Sequence, residues 1–245
     1  MAALGTVEFW DMFHQREQTE WYLPLSIVVR EVLSPDRGDG PPQVLGFIEE
    51  MKQTQTAGMQ STREGIASPY PRILHPGCGT SSLGVVLQRE HGCGVVNADF
   101  SKAVVDSMRA RYQGCEFVCS DARRTGFADE SFDLAVDKGL FDSVTAGTEG
   151  RAAKAKELLG EAARVLSSGG KYMIFSVFCS DGLGHKDMAE MLAHPAFRGG
   201  LETRVLDMPP LEYPDQTSSY LYILTKAEAE DEVNSASRDG APVSF

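Results

Sequence analysis

Short apolar runs alternate with segments of helical periodicity through the middle of the chain. Five of these runs are rich in aliphatic and β-branched side chains and are bounded by Gly, Asp or Ser, which is typical of buried strands. They read RILH, GVVNAD, EFVCSD, FDLAVD and KYMIFSVFC, at residues 72–75, 94–99, 116–121, 132–137 and 171–179. The last run is apolar nearly throughout, as expected of a strand that is covered on both faces.

The segments between these runs carry apolar side chains at helical spacing. Val104, Met108 and Tyr112 share one face of a helix predicted to start after Ser101, a residue type suited to capping it. A longer helix is predicted over RAAKAKELLGEAARVL, and the pair at residues 169–170, both glycine, is predicted to end it. Its apolar stripe consists of Ala155, Leu159, Ala162 and Leu166.

Two further runs, LETRVLDM and SSYLYILTK, follow the fifth predicted strand with only a turn-rich stretch between them. Two strands without an intervening helix predict an antiparallel hairpin at the edge of the sheet. Strands that alternate with helices predict a parallel sheet. The sequence therefore predicts an α/β fold, a doubly wound, Rossmann-like seven-stranded sheet that is mostly parallel and has an antiparallel C-terminal hairpin.

The segments outside this core differ from it in composition. The core spans residues 72–225, and residues 1–33 form an N-terminal segment that contains both tryptophans of the chain. Residues 34–71 are an insert rich in Pro and Gly at both ends, with one short helix predicted in the middle. Residues 226–245 are polar and acidic, which predicts a disordered tail.

Composition and charge exclude several classes of protein. The chain of 245 residues has a formal net charge of −12, which argues against broad nucleic-acid binding because such binding needs a basic surface. No stretch approaches the roughly 18 apolar residues of a membrane span. The N-terminus lacks the pattern of secretory or organellar import signals. The five cysteines form no C-x-x-C pair, so the sequence predicts neither a metal site nor a disulfide framework.

A glycine-rich turn, HPGCGTSSLG, follows the first predicted strand. Open α/β sheets bind ligands at this position, and Gly77 and Gly79 would let the backbone approach a ligand closely. A dinucleotide site requires a third glycine where this chain has Ser82, so a pyridine nucleotide is disfavoured. Asp99 ends the second strand at a spacing suited to accept hydrogen bonds from a ribose diol.

The third and fourth strands also lead into charged residues. Asp121, which precedes Ala122, could accept a hydrogen bond from an adenine amino group. The fourth strand continues into Asp137, Lys138 and Asp142, in the sequence SFDLAVDKGLFDSV. A helix cap or a salt bridge at the sheet edge would explain each charge alone. Suitable groups at successive strand ends indicate instead the rim of an active site.

The glycine turn and the acids at the following strand ends resemble the class I S-adenosylmethionine-dependent methyltransferases. The resemblance covers roughly residues 8–225. One branch is especially similar, the eukaryotic protein-lysine methyltransferases that act on elongation factor 1-alpha or, in a mitochondrial member, on citrate synthase. The segments that carry this likeness are EFWDMFHQREQTEWYLPL, GCGTSSLG, ADFSKAVVDSMRAR and LAVDKGLFDSV.

The resemblance implies S-adenosyl-L-methionine as cofactor and S-adenosyl-L-homocysteine as product. An N-terminal aromatic segment would cover the cofactor, although this chain has His14 where the family has a tyrosine. Gly77 would lie under the methionine moiety, with the ribose at Asp99 and the adenine at Asp121. The implied cofactor-binding residues are Trp10, His14, Trp21, Gly77, Cys78, Gly79, Asp99, Phe100, Asp121, Ala122, Asp137 and Lys138, and the catalytic pair is Asp137 and Asp142.

The resemblance further implies methyl transfer to a lysine side chain of a protein that is basic around its target. Asp137 and Asp142 would face this substrate and orient its ammonium group. The expected enzyme is a cytoplasmic monomer that uses no metal and binds neither nucleic acid nor membrane. Asp137 is not followed by the Pro-Pro pair typical of enzymes that methylate adenine amines or glutamine amides. Two alternatives stay open: a small-molecule N-, O- or S-methyltransferase with the same fold, and a non-catalytic cofactor-binding protein.

Overall fold

The described chain folds around one seven-stranded sheet. The computed structural model describes residues 6, 9, 11–12, 25–28, 71–146, 150–178, 188–198, 200–207 and 218–228. The strands in these ranges are β1 (Arg72–Pro76), β2 (Gly94–Asp99), β3 (Glu116–Cys119), β4 (Phe132–Lys138), β5 (Leu166–Ser176), β6 (Gly200–Asp207) and β7 (Ser218–Thr225). They are arranged in the order β3-β2-β1-β4-β5-β7-β6.

The first five strands are parallel, and β7 pairs antiparallel with both β5 and β6. The last two strands form the edge hairpin that the sequence predicts, with β7 inserted between β5 and β6. The predicted fold class, a mostly parallel Rossmann-like sheet with an antiparallel C-terminal hairpin, is therefore confirmed.

Helices cover the sheet, and the two predicted after Ser101 and over RAAKAKELLGEAARVL are present. Between residues 71 and 228, the described helices are α1 (Leu83–His91), α2 (Lys102–Arg111), α3 (Leu140–Thr145), α4 (Arg151–Val165) and α5 (Met188–Leu192), with a 3₁₀ turn at Pro195–Phe197. Ser101 caps α2 as predicted, because its Oγ accepts a hydrogen bond from the Val104 N–H at 3.1 Å. None of the helices in this part of the chain is long and apolar enough to cross a membrane.

Apolar side chains cover both faces of the sheet, as the near-continuous apolar runs of its strands require. Along β7, Tyr222 and Leu224 point to the face covered by α4 and α5. Leu221 and Ile223 point to the opposite face, where α1 packs together with the helical residues 25–28. Burial of each such side chain stabilises the fold by about 1.5–3 kcal/mol, so the two apolar layers hold the strand ends in place.

The prediction that two glycines end the long helix is wrong. Helix α4 ends at Val165, and β5 begins at Leu166 and runs through both Gly169 and Gly170. The pairing of β5 with β4 shifts register beside these residues, and a Cβ on Gly170 would lie 2.7 Å from the Ser167 carbonyl oxygen. The glycines therefore permit a close backbone approach at an irregularity in the strand.

Two other strand limits also differ from the prediction. The third strand ends at Cys119, and Asp121 follows it in a tight turn, paired by an isolated bridge with Arg124. The fifth strand ends at Ser176, and residue 179 lies outside the described ranges.

Helix α1 approaches β2 closely at one glycine. A Cβ on Gly84 would lie 1.9 Å from Asn97 Oδ1. Asn97 is fully buried and cannot move away, since its Oδ1 lies 3.0 Å from His75 Nδ1 and its Nδ2 donates to the Glu116 carbonyl at 3.0 Å. Gly84 is therefore required for helix–strand packing.

Gly84→Ala is expected to destabilise the protein by about 1–3 kcal/mol, because the added methyl group overpacks a buried hydrogen-bonded site. Gly160→Ala is the matched control in α4, where the new Cβ would meet only His194 Nε2 at 3.7 Å. That variant is expected to gain roughly 0.5–1 kcal/mol from helix propensity. Urea denaturation of both variants measures the difference, and equal stabilisation by the two alanines would contradict this packing.

Candidate functional site

A cavity opens at the carboxyl ends of the parallel strands, where the turns after β1, β2, β3 and β4 meet α3. Because β1 and β4 are neighbours, the strand order reverses between them, and open α/β sheets bind ligands at such a position. Counted with the space at its open mouth, the cavity holds about 1050 Å³.

Most of the predicted cofactor-binding residues line this cavity. They are Gly77, Cys78, Gly79, Asp99, Phe100, Asp121, Ala122 and Lys138. The topology brings them together, because the carboxyl ends of neighbouring parallel strands meet at one edge of the sheet. Trp10, His14 and Trp21 lie outside the described residues. The role of each residue toward a cofactor stays a prediction.

Two cationic residues of the cavity wall were not predicted from the sequence. Arg123 lies two positions after Asp121, in the sequence DARR, and this spacing is the signal that could have identified it. Lys154 lies on α4, far along the chain from the other lining residues, and only the packing of α4 beside α3 brings it to the cavity.

The glycine turn fits tightly against α3. Gly77 has a φ of 59°, in the left-handed region that favours glycine, and a Cβ there would lie 2.8 Å from Leu140 Cδ1. Gly79 has a φ of 50°, and its N–H donates to Asp99 Oδ2 at 2.9 Å. The turn after β1 is thus tied both to the end of β2 and to the first residue of α3.

Asp99 combines burial with unused acceptor capacity. It is 5% exposed, and its two oxygens accept from the N–H groups of Gly79 and Ser101, each at 2.9 Å. Burial raises the pKa of its carboxyl, and the nearby carboxylate of Asp11, which is hydrogen-bonded to Ser101 Oγ, acts in the same direction. A carboxylate has about four acceptor positions, so Asp99 can still accept from a hydroxyl donor.

Asp121 lies in a contrasting environment. Burial alone would raise the pKa of its carboxyl, but hydrogen bonds from Arg123 and the guanidinium charge outweigh this effect and lower it. Arg123 Nη2 lies 2.8 Å from Asp121 Oδ2, and Arg123 Nε lies 3.2 Å from Asp121 Oδ1. This pair holds the Asp121 carboxylate ionised and in one orientation at the cavity wall.

The structure places Asp137 behind the cavity, in contrast to the sequence prediction that it faces a substrate. Asp137 is fully buried and does not line the cavity. Its Oδ1 accepts from the Leu140 N–H at 2.7 Å, and its Oδ2 accepts from the Phe141 N–H at 2.9 Å and the Tyr172 hydroxyl at 2.7 Å. Burial raises its pKa to about 7 despite these donors. The carboxyl therefore caps the first turn of α3.

Asp142 is also turned away from the cavity. It is 5% exposed, its Oδ1 accepts from the Ser176 hydroxyl at 2.7 Å, and its Oδ2 accepts from the Val177 N–H at 3.0 Å. Burial raises the pKa of this carboxyl to about 7. The sequence predicts a catalytic role for both aspartates, which stays a prediction. Their contacts give them another role, because each joins α3 to a neighbouring strand.

Asp137→Asn is expected to destabilise the protein by about 1–3 kcal/mol, because the asparagine amide would place its own donor against a backbone N–H. Tyr172→Phe is the matched comparison. It removes one donor but leaves the capping carboxylate in place, so a smaller loss of about 0.5–1.5 kcal/mol is expected. Chemical denaturation measures both losses, and an Asn variant as stable as the wild type would contradict the capping role.

Asp142→Asn is expected to flatten the pH dependence of stability. The folded state binds the Asp142 proton more tightly than the unfolded chain, because its pKa is raised from 3.8 to about 7. The stability contributed by this proton is present below the unfolded pKa and is lost as the pH rises toward 7. The free energy of unfolding should therefore fall less for the variant between about pH 4 and pH 7. Urea titrations across this range with identical slopes for both proteins would contradict the shift.

Comparison with known proteins agrees with this geometry. Residues 74–174, which carry most of the cavity wall, match the family model described as Methyltransferase domain. The zebrafish eEF1A lysine and N-terminal methyltransferase (Danio rerio) is 34% identical over 113 residues, which are 44% of this chain and 16% of the relative. The mitochondrial citrate synthase-lysine N-methyltransferase of Pongo abelii is 35% identical over 129 residues, 45% of this chain and 52% of the relative. The chain thus spans about half or less of the length of these relatives.

Solved structures show the same fold at low sequence identity. An S-adenosylmethionine-dependent methyltransferase from Methanosarcina mazei superposes with a TM-score of 0.52 at 18% identity, over 64% of this chain and 93% of that one. A structure described as "Conversion of a Disulfide Bond into a Thioacetal Group during Echinomycin Biosynthesis" superposes with a TM-score of 0.54 at 16% identity, over 95% and 98% of the two chains. These similarities support the fold alone.

In sequence, residues 74–174 therefore resemble a methyltransferase domain. The resemblance is to the class I, S-adenosylmethionine-dependent type, whose cofactor is S-adenosylmethionine. The cavity fits this cofactor, because the turn that contains Gly77 and Gly79 lines it, and Asp99 and Asp121 present carboxylates at the ends of adjacent strands. Within the described ranges, no group of three or more His, Cys, Asp or Glu side chains is placed to hold a metal ion.

Proposed function

We propose that this chain transfers a methyl group from S-adenosylmethionine to a lysine side chain of a protein. The observation that carries the proposal is the agreement between the cavity and the relatives, which are named as lysine methyltransferases of eEF1A and of citrate synthase. A target similar to one of these two proteins is therefore proposed. Residues 72–225 are the unit that performs the reaction, with residues 1–33 and the insert at 34–71 as accessory segments and residues 226–245 as a tail.

Each wall of the cavity is assigned one part of the cofactor. Asp99 and Phe100 hold the ribose, because the Asp99 carboxylate retains acceptor positions for its hydroxyl groups. Asp121 and Ala122 receive the adenine, and the fixed carboxylate of Asp121 accepts from its amino group. The methionine moiety is assigned to the turn at Gly77, which lines the cavity. The cofactor supplies an activated methyl group on a sulfonium, so the protein mainly aligns the acceptor and excludes water.

The remaining predicted contacts complete this site. Lys138 and the backbone at residues 77–79 line the cavity beside the proposed methionine position. Trp10 and Trp21 are proposed to cover the cofactor, where an aromatic ring near a sulfonium contributes about 0.5–2 kcal/mol of cation–π attraction. His14 belongs to the same proposed cover.

A lysine acceptor must lose a proton before it can accept a methyl group. At the reference pKa of about 10.4, deprotonation at pH 7 costs about 4.6 kcal/mol. Removal of water from the ammonium lowers its pKa, and positive charge nearby acts in the same direction. Lys138, which is 9% exposed and lines the cavity, places positive charge at this wall. These two effects support transfer to a lysine amine.

The proposed substrate is a protein that is basic around its target lysine. The net charge of −12 on this chain favours association with such a surface and disfavours nucleic acid. We place the enzyme in the cytoplasm as a monomer. The lysine methyltransferases of eEF1A support this location, although one relative is named as mitochondrial.

The test is to incubate the protein with methyl-labelled S-adenosylmethionine and a cell lysate. A discrete protein band is expected to carry label, and acid hydrolysis of that band is expected to release methylated lysine. Label that appears only in the small-molecule fraction would contradict protein methylation and favour a small-molecule methyltransferase. Cofactor binding in calorimetry without any labelling would favour a non-catalytic binding protein.

Asp99→Ala provides the control for the site. Loss of its charge-assisted hydrogen bonds is expected to weaken cofactor binding by about 100-fold and to abolish labelling. The matched control is Asp106→Ala, which removes an exposed carboxylate of α2 that pairs only with Lys102 and Arg109 among the described contacts. That variant should bind the cofactor like the wild type. Thermal denaturation shows whether both variants are folded.

A further inference from the structure

The cavity lies over only part of the edge formed by the carboxyl ends of the parallel strands. Its described lining residues come from the turns after β1 to β4 and from α3 and α4, and none comes from β5 or β7. Strand β5 pairs with β4 on the side away from β1, with Phe175 beside Lys138. Because Lys138 lines the cavity, the end of β5 lies directly beside the cavity.

The end of β5 is held by a carboxylate from α3. Asp142 accepts the Ser176 hydroxyl at 2.7 Å through Oδ1 and the Val177 N–H at 3.0 Å through Oδ2. Ser176 is the last residue of β5, and Val177 is the first residue beyond it. Both oxygens of Asp142 are thus directed at the point where the chain leaves the sheet.

Further hydrogen bonds extend this contact to the next residue and the next strand. Ser176 Oγ accepts from the Phe178 N–H at 3.0 Å, and the hydroxyl of Tyr222 on β7 donates to the Phe178 carbonyl at 2.8 Å. Ser176, Tyr222 and Asp142 are all buried. Residues 176–178 are therefore fixed from two sides, by α3 and by β7.

We propose that Asp142 is a positioning residue for the acceptor. It fixes residues 176–178, which form the wall along which the acceptor amine approaches the methyl group. This inference rests on the proposed methyl transfer to lysine. In-line displacement depends on alignment, and a misplacement of about 1 Å costs as much as 100-fold in rate. Helix α3 contacts both sides of the site. Its Leu140 lies against the glycine turn, and its Asp142 holds residues 176–178.

The geometry separates this role from that of a general base. A general base must come within about 2.6–3.2 Å of the proton that it removes. Both oxygens of Asp142 instead accept from protein donors, and the side chain does not line the cavity. An asparagine would fit the same contacts, with its oxygen facing the Val177 N–H and its amide donating to Ser176 Oγ. Asp142→Asn should therefore preserve positioning while removing the ability to take a proton.

The experiment compares Asp142→Ala with Asp142→Asn, using the lysate band labelled by the wild type as acceptor. For the alanine variant, the lysate concentration at half-maximal labelling is expected to rise at least about 10-fold, while the Kd for S-adenosylmethionine changes less than about twofold. The asparagine variant is expected to return the half-maximal concentration to within about threefold of the wild type. An asparagine variant as impaired as the alanine variant would show that the reaction needs the carboxylate itself, and would overturn the proposal.

Asp133→Ala is the matched control. Like Asp142, Asp133 accepts one hydrogen bond from a backbone N–H and one from a serine hydroxyl, but it lies at the other end of β4. Its Oδ2 accepts from the Arg72 N–H at 2.9 Å, and its Oδ1 accepts from the Ser167 hydroxyl at 3.2 Å. The variant is expected to lose stability without a change in the half-maximal acceptor concentration. If the half-maximal acceptor concentration rose as much for Asp133→Ala as for Asp142→Ala, the proposed positioning role would be overturned. The effect of Asp142→Ala would then be explained by a general loss of stability.

Hydrogen exchange tests whether Asp142 fixes residues 176–178, and it needs no activity measurement. The amides of Val177 and Phe178 are expected to exchange faster in Asp142→Ala than in the wild type and to regain protection in Asp142→Asn. Unchanged exchange in the alanine variant would overturn the inference even if lysine methylation is established. Absence of any labelled protein, with exchange behaving as expected, would instead overturn the proposed function.

Discussion

The buried carboxylate of Asp137 accepts hydrogen bonds from two backbone N–H groups of α3 and from the Tyr172 hydroxyl of β5. Burial raises the pKa of Tyr172 well above its ordinary value, so this hydroxyl keeps its proton and donates it. Three elements meet at one acid, and the rest of the site depends on that junction. Helix α3 places Leu140 against Gly77 and Asp142 against the end of β5. A six-residue helix thus sets one wall of the cavity and the neighbouring strand exit together.

The surroundings of two carboxyl groups in the cavity wall shift their pKa values in opposite directions. Asp99 has no cationic partner among its described contacts, and burial raises its pKa. Asp121 is held by Arg123, whose charge and hydrogen bonds lower its pKa. Backbone N–H groups orient the first carboxylate and a guanidinium orients the second, so both are held in place before any ligand arrives. Such preorganisation reduces the entropy lost on binding, which is consistent with a cofactor site along these two strand ends.

The carboxyl-end edge of the sheet has two structurally distinct parts. The turns after β1 to β4 surround the cavity, and the end of β5 forms a separate, tightly bonded exit toward β7. This division agrees with a reaction in which one molecule is bound deeply and another approaches from the side. The buried acids Asp137 and Asp142 lie beside the cavity without lining it, and their hydrogen bonds hold the ends of β4 and β5 to α3.

The sequence alone determined the strands, the Ser101 cap, the C-terminal hairpin and the convergence of Gly77, Asp99 and Asp121, because each depends on local periodicity or on a residue at a strand end. Tertiary structure decided what the sequence could not. The direction of the Asp137 and Asp142 side chains depends on which donors α3 and β5 bring near them, and Lys154 reaches the cavity only through helix packing. Tertiary structure also decided the role of the glycines at residues 169–170. They resemble a helix stop in the chain, but the shifted register between β4 and β5 makes them part of a strand, since pairing between distant segments outweighs local preference.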